Sequence, residues 1–201
     1  MITLYHAPRS RSANIVWLLE ELEAPYRLQI TAIKRGNDEG QAAPESYRRI
    51  HPHLKVPAIE ADGEIVFEQA AIALYLTDAF PAKGIGPRIG EKTRGAYLTW
   101  LAYYAGVIEP AFVSKFMSWP LKPGTIGWAP VDDVMAHITT TLENGPYLLG
   151  ERFSAADIFV GGAFILFMGS PLLQSTDLLT AYTDRLKARP AYARAQARDG
   201  G

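Results

Sequence analysis

Three short stretches of this sequence carry residue types that can do chemistry on a small ligand. The first is Tyr5-His6-Ala7-Pro8-Arg9-Ser10-Arg11-Ser12. It sets two hydroxyls and two guanidinium groups within four residues, just before a run with helical periodicity. The first free N–H groups of a helix carry partial positive charge, so an anion held above such a junction is favoured. The same residues also fit ordinary roles, with one serine as the helix N-cap and the arginines solvated. The second stretch is His51-Pro52-His53-Leu54-Lys55-Val56-Pro57-Ala58-Ile59. A proline at the start of a strand cannot donate from its nitrogen. If the Val56–Pro57 bond is cis, it makes a fixed corner that offers the Val56 N–H and C=O to an extended peptide. His51 and His53 have no cysteine or carboxylate pattern beside them, so they read as loop histidines and no metal site is expected. The third stretch is Phe67-Glu68-Gln69-Ala70. Glu68 can accept from an ammonium group while the helix amides after it hold a carboxylate, which together grip an α-amino acid end. A glutamate at a helix start is equally an ordinary dipole effect.

Composition narrows the chemistry further. The chain has 201 residues, 48% hydrophobic and 20% charged, which suits a folded protein of one large or two small domains. A net charge of −1 leaves no basic excess for a polyanion, so nucleic acid is not expected as a partner. The absence of cysteine excludes disulfides, thiolate metal sites and Cys nucleophiles together. The opening residues lack the basic and apolar regions of a signal peptide. The longest apolar run, Ile158 to Met168, reaches about 17 Å as a helix, against roughly 30 Å for a bilayer. A cytoplasmic protein with no membrane partner is the expectation, and that run is a buried core helix.

The elements that must position these residues follow from periodicity. Ile2 and Leu4 suit a short buried strand. Ile15, Leu18, Leu19 and Leu22 form one face of a helix ended at Ala24-Pro25. Tyr26 to Ile30 reads as a second strand. A polar loop, 34–43, precedes a short helix near 44–50. Asp62-Gly63 between two apolar runs marks a hairpin, because that turn requires positive φ. Residues 70–77 are helical, giving the order β-α-β-α-β-β-α. Two prolines and two glycines within 80–87 then break the chain. Beyond them the signals are helical, roughly at 90–118, 131–144, 155–168 and 176–188. Ser154 and Asp157 predict a capping box, with Phe153 and Ile158 as its hydrophobic staple. The basic residues after Asp184 (Arg185, Lys187, Arg189, Arg194, Arg198) read as a solvated tail.

Taken in order, several pieces resemble the cytosolic glutathione S-transferases. They are LYHAPRSRSANIVWLLEEL (Leu4–Leu22), HPHLKVPAIEADGEIVFEQAAIALYL (His51–Leu76), WLAYYAGVIEPAF (Trp100–Phe112), YLLGERFSAADI (Tyr147–Ile158) and ARPAYARA (Ala188–Ala195). The likeness spans nearly the whole chain, and the LLEEL helix and Tyr103-Tyr104 region look most like bacterial members. It implies an α/β thioredoxin-like domain at 1–79 that binds glutathione, a linker at 80–88, and an all-helical domain at 89–201 that forms the electrophile pocket. Carried over by position, Lys55 lies near the glycine carboxylate of glutathione, and Val56 pairs with the cysteinyl part ahead of cis-Pro57. Glu68 and Gln69 hold the γ-glutamyl end. Many members have serine where Gln69 stands, so a hydroxyl contact is absent here while the backbone N–H remains.

The family places Tyr, Ser, Cys or Asn in the loop before the first helix. Here Cys is absent and Tyr5 falls a place or two early, in the strand. Ser10 is therefore the expected catalytic residue, with Arg9 and Ser12 competing for the slot. A thiol with a pKa of about 8.5 is mostly protonated at neutral pH, and a hydrogen bond from Ser10 plus the helix field would favour the thiolate. A shift of about two units corresponds to roughly 2.7 kcal/mol. The resemblance implies transfer of glutathione to small hydrophobic electrophiles held near Trp100, Tyr103 and Tyr104, in a detoxifying homodimer with glutathione as co-substrate. Trp100 and Tyr104, four apart, equally fit a helix core. The rival expectations are a non-catalytic binding or scaffold protein, and a glutathione-dependent isomerase, peroxidase or dehalogenase.

Overall fold

Strand β1 (Ile2–His6) is the most enclosed, with four of its five residues buried. Its position explains this, since the sheet runs in the order β2-β1-β3-β4 and β1 has a neighbour on each side. It pairs in parallel with β2 (Tyr26–Ile30) and antiparallel with β3 (Ala58–Ala61), which pairs antiparallel with β4 (Glu64–Phe67). The computed structural model describes residues 1–36, 42–122 and 124–200. It divides the chain into two units, Met1–Lys83 with Pro190–Gly201, and Gly84–Arg189.

In the first unit, helix α1 (Ala13–Leu22) buries Ile15, Leu18, Leu19 and Leu22, the face expected from their spacing. It stops where Glu23 turns left-handed at φ 51°, one residue before Ala24-Pro25. Asp62 and Gly63, at φ 51° and 83°, make the expected tight turn between β3 and β4. Helix α2 (Gln69–Ala79) follows directly. The short helix expected near 44–50 is a 3-10 turn, Glu45–Arg49. Of the polar loop before it, residues 37–41 lie outside the described part. Tyr47 and Ile50 pack on Ala58, with Tyr5, Leu54 and Ile65 against them, in a small apolar cluster beside the sheet.

The second unit contains α3 (Arg94–Tyr103) and α4 (Glu109–Phe116), continuous through a π turn at Tyr104–Ile108. Three more helices follow: α5 (Val131–Glu143), α6 (Ala155–Phe167) and α7 (Asp177–Lys187). The capping box at Ser154 and Asp157 is formed. Asp157 is fully buried and also takes hydrogen bonds from the Leu148 amide at 2.9 Å and the Tyr182 hydroxyl at 3.0 Å. It therefore ties α6 to α7 and to the segment before it.

One expectation needs correction. The basic residues after Asp184 are not a free tail. Helix α8 (Pro190–Asp199) buries Ala191, Ala195 and Asp199 and packs on α1 in the first unit, instead of staying with the helical residues before it. The cause is Glu20. Its carboxylate accepts from Arg194 Nε at 2.9 Å, Arg198 Nε at 2.8 Å and the Tyr26 hydroxyl at 2.7 Å. Arg189 lies 3.6 Å over the Phe153 ring, Arg185 donates to the Pro146 carbonyl and Lys187 pairs with Asp184.

Candidate functional site

The strand registers bring the three chemical stretches together. Tyr5 stands opposite Ala58, and Ala58 opposite Phe67, so these residues form one row across the sheet. Immediately past that row, β1 runs out into the 7–12 loop, β3 is approached through Val56-Pro57, and β4 leaves into Glu68. All three stretches therefore lie at one end of the sheet, within the first unit. Three residues there adopt the left-handed region that side chains avoid: Arg9 at φ 53°, Leu54 at 54° and Glu68 at 70°. Such backbone costs of order 1–3 kcal/mol each and concentrates at ligand-handling sites.

The Val56–Pro57 bond is cis. The Lys55 carbonyl accepts a hydrogen bond from the Tyr47 hydroxyl at 3.1 Å, which fixes the peptide unit whose other face is the Val56 N–H. Among the described residues no backbone hydrogen bond to Val56 occurs. The Lys55 side chain is exposed. Glu68 is exposed and stands at the N-cap of α2, while Gln69 is buried at the first position of the helix. Asn14, in the first turn of α1, donates to Gln69 Oε1 at 3.4 Å and so links the two helix starts. His51 is buried, its Nδ1 accepts from the His53 amide at 3.2 Å, and its ring lies 5.0 Å from that of Phe67. Burial lowers its pKa, partly offset by Glu68.

The 7–12 loop is held by an inward hydrogen-bond network. Ser12 occupies the N-cap position of α1, yet its hydroxyl makes no cap bond, which corrects the reading of it as a simple cap. Its Oγ lies 2.8 Å from His6 Nδ1, accepts from the Ala7 amide at 3.1 Å and lies 2.8 Å from Ser10 Oγ. Ser12 and His6 are both 0% exposed. Ser10 is half-buried, and its Oγ lies 2.7 Å from the Ala7 carbonyl. Arg9 has an exposed side chain, its amide donates to both Asp199 oxygens at 3.2 and 3.1 Å, and its carbonyl accepts from Arg35 at 3.1 Å. Of the three competitors, Ser10 alone offers a hydroxyl with access to solvent.

Trp100 and Tyr104, expected as pocket walls, are 6% and 3% exposed and belong to the interior of the second unit. Trp100 stacks on His137 at 5.1 Å, and Tyr104 packs on Phe159 and donates to Glu109 at 2.7 Å. Tyr103 keeps partial exposure against His137. Three residues of the site went unassigned from sequence. Tyr47 and Asp199 lie 8 and 190 positions from their partners and carry no local signal, whereas His6, the last residue of β1, was in view without a role. A cavity of about 470 Å³ also exists on this unit, but at the opposite end of α1, where Arg194 and Arg198 are paired with Glu20.

Comparison with known proteins matches this architecture. The family model "Glutathione S-transferase, N-terminal domain" covers residues 1–78. The chain is 32% identical to the disulfide-bond oxidoreductase YfcG of Escherichia coli K12, over 97% of this chain and 94% of that protein. Among solved structures, a sphingomonad glutathione S-transferase complexed with glutathione aligns at a TM-score of 0.76 and 26% identity, over 98% of both chains. A glutathione transferase from Methylococcus capsulatus aligns at a TM-score of 0.79 and 24% identity, over 100% of this chain and 99% of that one. The fold, a thioredoxin-like α/β half followed by a helical half, is that of these proteins.

Proposed function

Because the chain belongs to the glutathione S-transferase family, we propose that it binds glutathione at this end of the sheet and ionises its thiol for attack on a small hydrophobic electrophile. The observation that carries this is the strand register, which converges the Ser10 loop, the Val56–Pro57 corner and Glu68 beyond one row of residues. The tripeptide is extended, so its cysteinyl part pairs with the Val56 backbone by strand addition. Lys55 takes the glycine carboxylate, Pro57 shapes the corner, Glu68 takes the ammonium group, and the α2 amides at Gln69 take the γ-glutamyl carboxylate. Ser10 faces the sulfur. A hydrogen bond to an ionised partner is worth about 1.5–3 kcal/mol, which matches the roughly 2.7 kcal/mol that lowers a thiol pKa by about two units.

The thiolate attacks an electrophilic carbon, and Ser10 stabilises the sulfur without becoming covalently attached. Of Trp100, Tyr103 and Tyr104, the aromatic side chains assigned to the electrophile, Tyr103 is the one that keeps exposure. The family resemblance adds a homodimer acting in the cytoplasm on toxic electrophiles, with no metal required.

A second reading is favoured by the 32% identity to a protein named as a disulfide-bond oxidoreductase. The same glutathione thiolate can attack a disulfide sulfur in place of carbon, releasing the other half as a thiolate. No protein cysteine is needed for that step. Turnover of an aryl halide and of a small mixed disulfide, each with glutathione, separates the two. Glutathione binding without turnover of either would favour a binding or scaffold protein, and no binding would end both catalytic readings. Ser10→Ala and Arg9→Ala, measured by the ultraviolet absorbance of bound thiolate, decide the loop. Loss of thiolate in the Ser10 variant alone is expected, and an unchanged signal there rejects Ser10.

A further inference from the structure

Behind Ser10, hydroxyl contacts run inward through Ser12 to His6, whose far side faces a charge. Asp199, brought in by α8, accepts the Arg9 amide and sets Oδ1 3.4 Å from His6 Nε2. His6 is fully buried, and among the described residues Nε2 has no hydrogen-bond partner, so Asp199 acts on it by charge alone. A carboxylate at that distance favours the tautomer with the proton on Nε2, which leaves Nδ1 as an acceptor. The Ser12 hydroxyl, 2.8 Å away, then donates to Nδ1. Ser12 Oγ in turn has lone pairs for the Ala7 amide at 3.1 Å and the Ser10 hydroxyl at 2.8 Å. The alternative acceptor for either hydroxyl, the Ala7 carbonyl, also lies inward, at 2.7 Å from Ser10 and 3.2 Å from Ser12. Ser10 Oγ accepts from the Ser12 amide at 3.2 Å and keeps one lone pair for a group outside.

A thiol arriving at Ser10 thus meets an acceptor. From this geometry we infer that Ser10, Ser12, His6 and Asp199 form a proton relay that takes the thiol proton of bound glutathione inward, with His6 as its terminus. The inference rests on the assignment of Ser10 to the sulfur. As the S–H bond breaks, its proton bonds to Ser10 Oγ, the Ser10 proton passes to Ser12 Oγ, and the Ser12 proton passes to His6 Nδ1. The products are a thiolate, two intact hydroxyls now oriented outward, and an imidazolium facing the Asp199 carboxylate. No co-reactant is consumed. After the thiolate has reacted, the chain reverses and returns the proton through Ser10 to solvent. The layout is that of a hydroxyl–imidazole–carboxylate triad with one hydroxyl added, and the orienting carboxylate stabilises the imidazolium without being protonated itself.

His6 and Asp199 are positioning residues here, since Ser10 alone faces the sulfur. Burial opposes protonation of His6 and lowers its pKa, and Asp199 offsets that only in part. Among the described residues no other charge acts on that ring, although β2, β3 and α1 all pack on β1. The relay therefore depends on one carboxylate that arrives from 193 positions later in the chain.

The test is a pH titration of thiolate absorbance in the glutathione complex, with affinity measured by calorimetry at a pH where the thiol is protonated. Asp199→Asn is expected to raise the thiolate midpoint by about one unit, about tenfold less thiolate at a given pH below it, with affinity changed less than about threefold. Ser12→Ala breaks the chain between Ser10 and His6 and should shift the midpoint the same way, and Ser12→Thr should restore it. A merely structural role would lower affinity and leave the midpoint in place. If Asp199→Asn does not fold, the Ser12 pair decides alone. Wild-type midpoints in these variants, beside a raised midpoint in Ser10→Ala, overturn the relay and leave Ser10 in its role. An unshifted Ser10→Ala removes that role and the relay with it.

Discussion

Glu20→Ala tests whether α8 is held on the first unit by one carboxylate. Glu20 is 7% exposed and holds three donors, the guanidinium groups of Arg194 and Arg198 and the hydroxyl of Tyr26. The two arginines are about half exposed, so each pair is worth the upper part of the range for exposed ion pairs, about 0.5–1 kcal/mol. The Tyr26 hydroxyl on a charged acceptor adds about 1.5 kcal/mol. The loss should total about 3 kcal/mol, or roughly 6–12 °C in Tm for a chain of this length. Glu20→Gln keeps the hydroxyl bond and should lose about half as much. Burial acts to raise the Glu20 pKa, but the Tyr26 and Arg194 hydrogen bonds and the charges of Arg198 and Arg194 outweigh it, and the net shift is downward. A carboxylate with a lowered folded-state pKa stabilises above its unfolded value of about 4.3 and loses that contribution as pH falls through the folded value. The wild type should therefore approach the variant's stability in acid. Hydrogen exchange localises the effect, with faster exchange expected at residues 193–199. Unchanged Tm together with unchanged exchange in that helix would refute the clasp.

Three further outcomes are expected. Burial pushes the Asp157 carboxyl up to about 6 against the hydrogen bonds from Leu148, Ser154 and Tyr182. The stability it contributes is full below about pH 4 and is lost as pH rises through about 6, a change of about 3 kcal/mol. Urea midpoints of the wild type minus those of Asp157→Asn, taken across that window, should show the fall, and a flat difference counts against it. Gly145→Ala places a Cβ 2.7 Å from the Gly150 Cα, a backbone atom that cannot swing aside, and should cost about 1–3 kcal/mol in thermal unfolding. Tyr47→Phe frees the Lys55 carbonyl and should weaken glutathione binding about three- to tenfold by calorimetry, with turnover at saturation unchanged.

What could be read in advance and what could not divides along sequence distance. The α1 face, the Asp62-Gly63 turn and the Ser154–Asp157 box each specify themselves within a few residues, and each forms as expected. Their signals are local because periodicity, positive φ and capping act through neighbours in the chain. Helix α8 gives no such signal. Its buried face is Ala191, Ala195 and Asp199, too small and too polar to register as an apolar stripe, and Pro190 sits at its start. Small side chains are what let it lie close on α1, so the feature that hides the helix from a hydrophobicity reading also lets it pack there.

The same division runs through the site. Ser10, Val56, Pro57 and Glu68 announce themselves as junction residues, because loops that leave one end of a sheet are where backbone groups and hydroxyls remain free. The groups behind them, Tyr47 on the Lys55 peptide and Asp199 on His6, are paired only once the chain has folded. A hydroxyl's direction of donation is set by the last acceptor in its network. Here that acceptor is His6 Nδ1, on a ring whose other nitrogen faces a carboxylate delivered by the final helix. In the relay inferred above, whether Ser10 meets a thiol as donor or acceptor therefore depends on the packing of α8 as well as on the loop carbonyl of Ala7. If so, releasing α8 by Glu20→Ala should raise the midpoint of thiolate formation without touching a residue of the site, and an unshifted midpoint in a variant whose α8 exchanges freely would show that the loop alone orients Ser10.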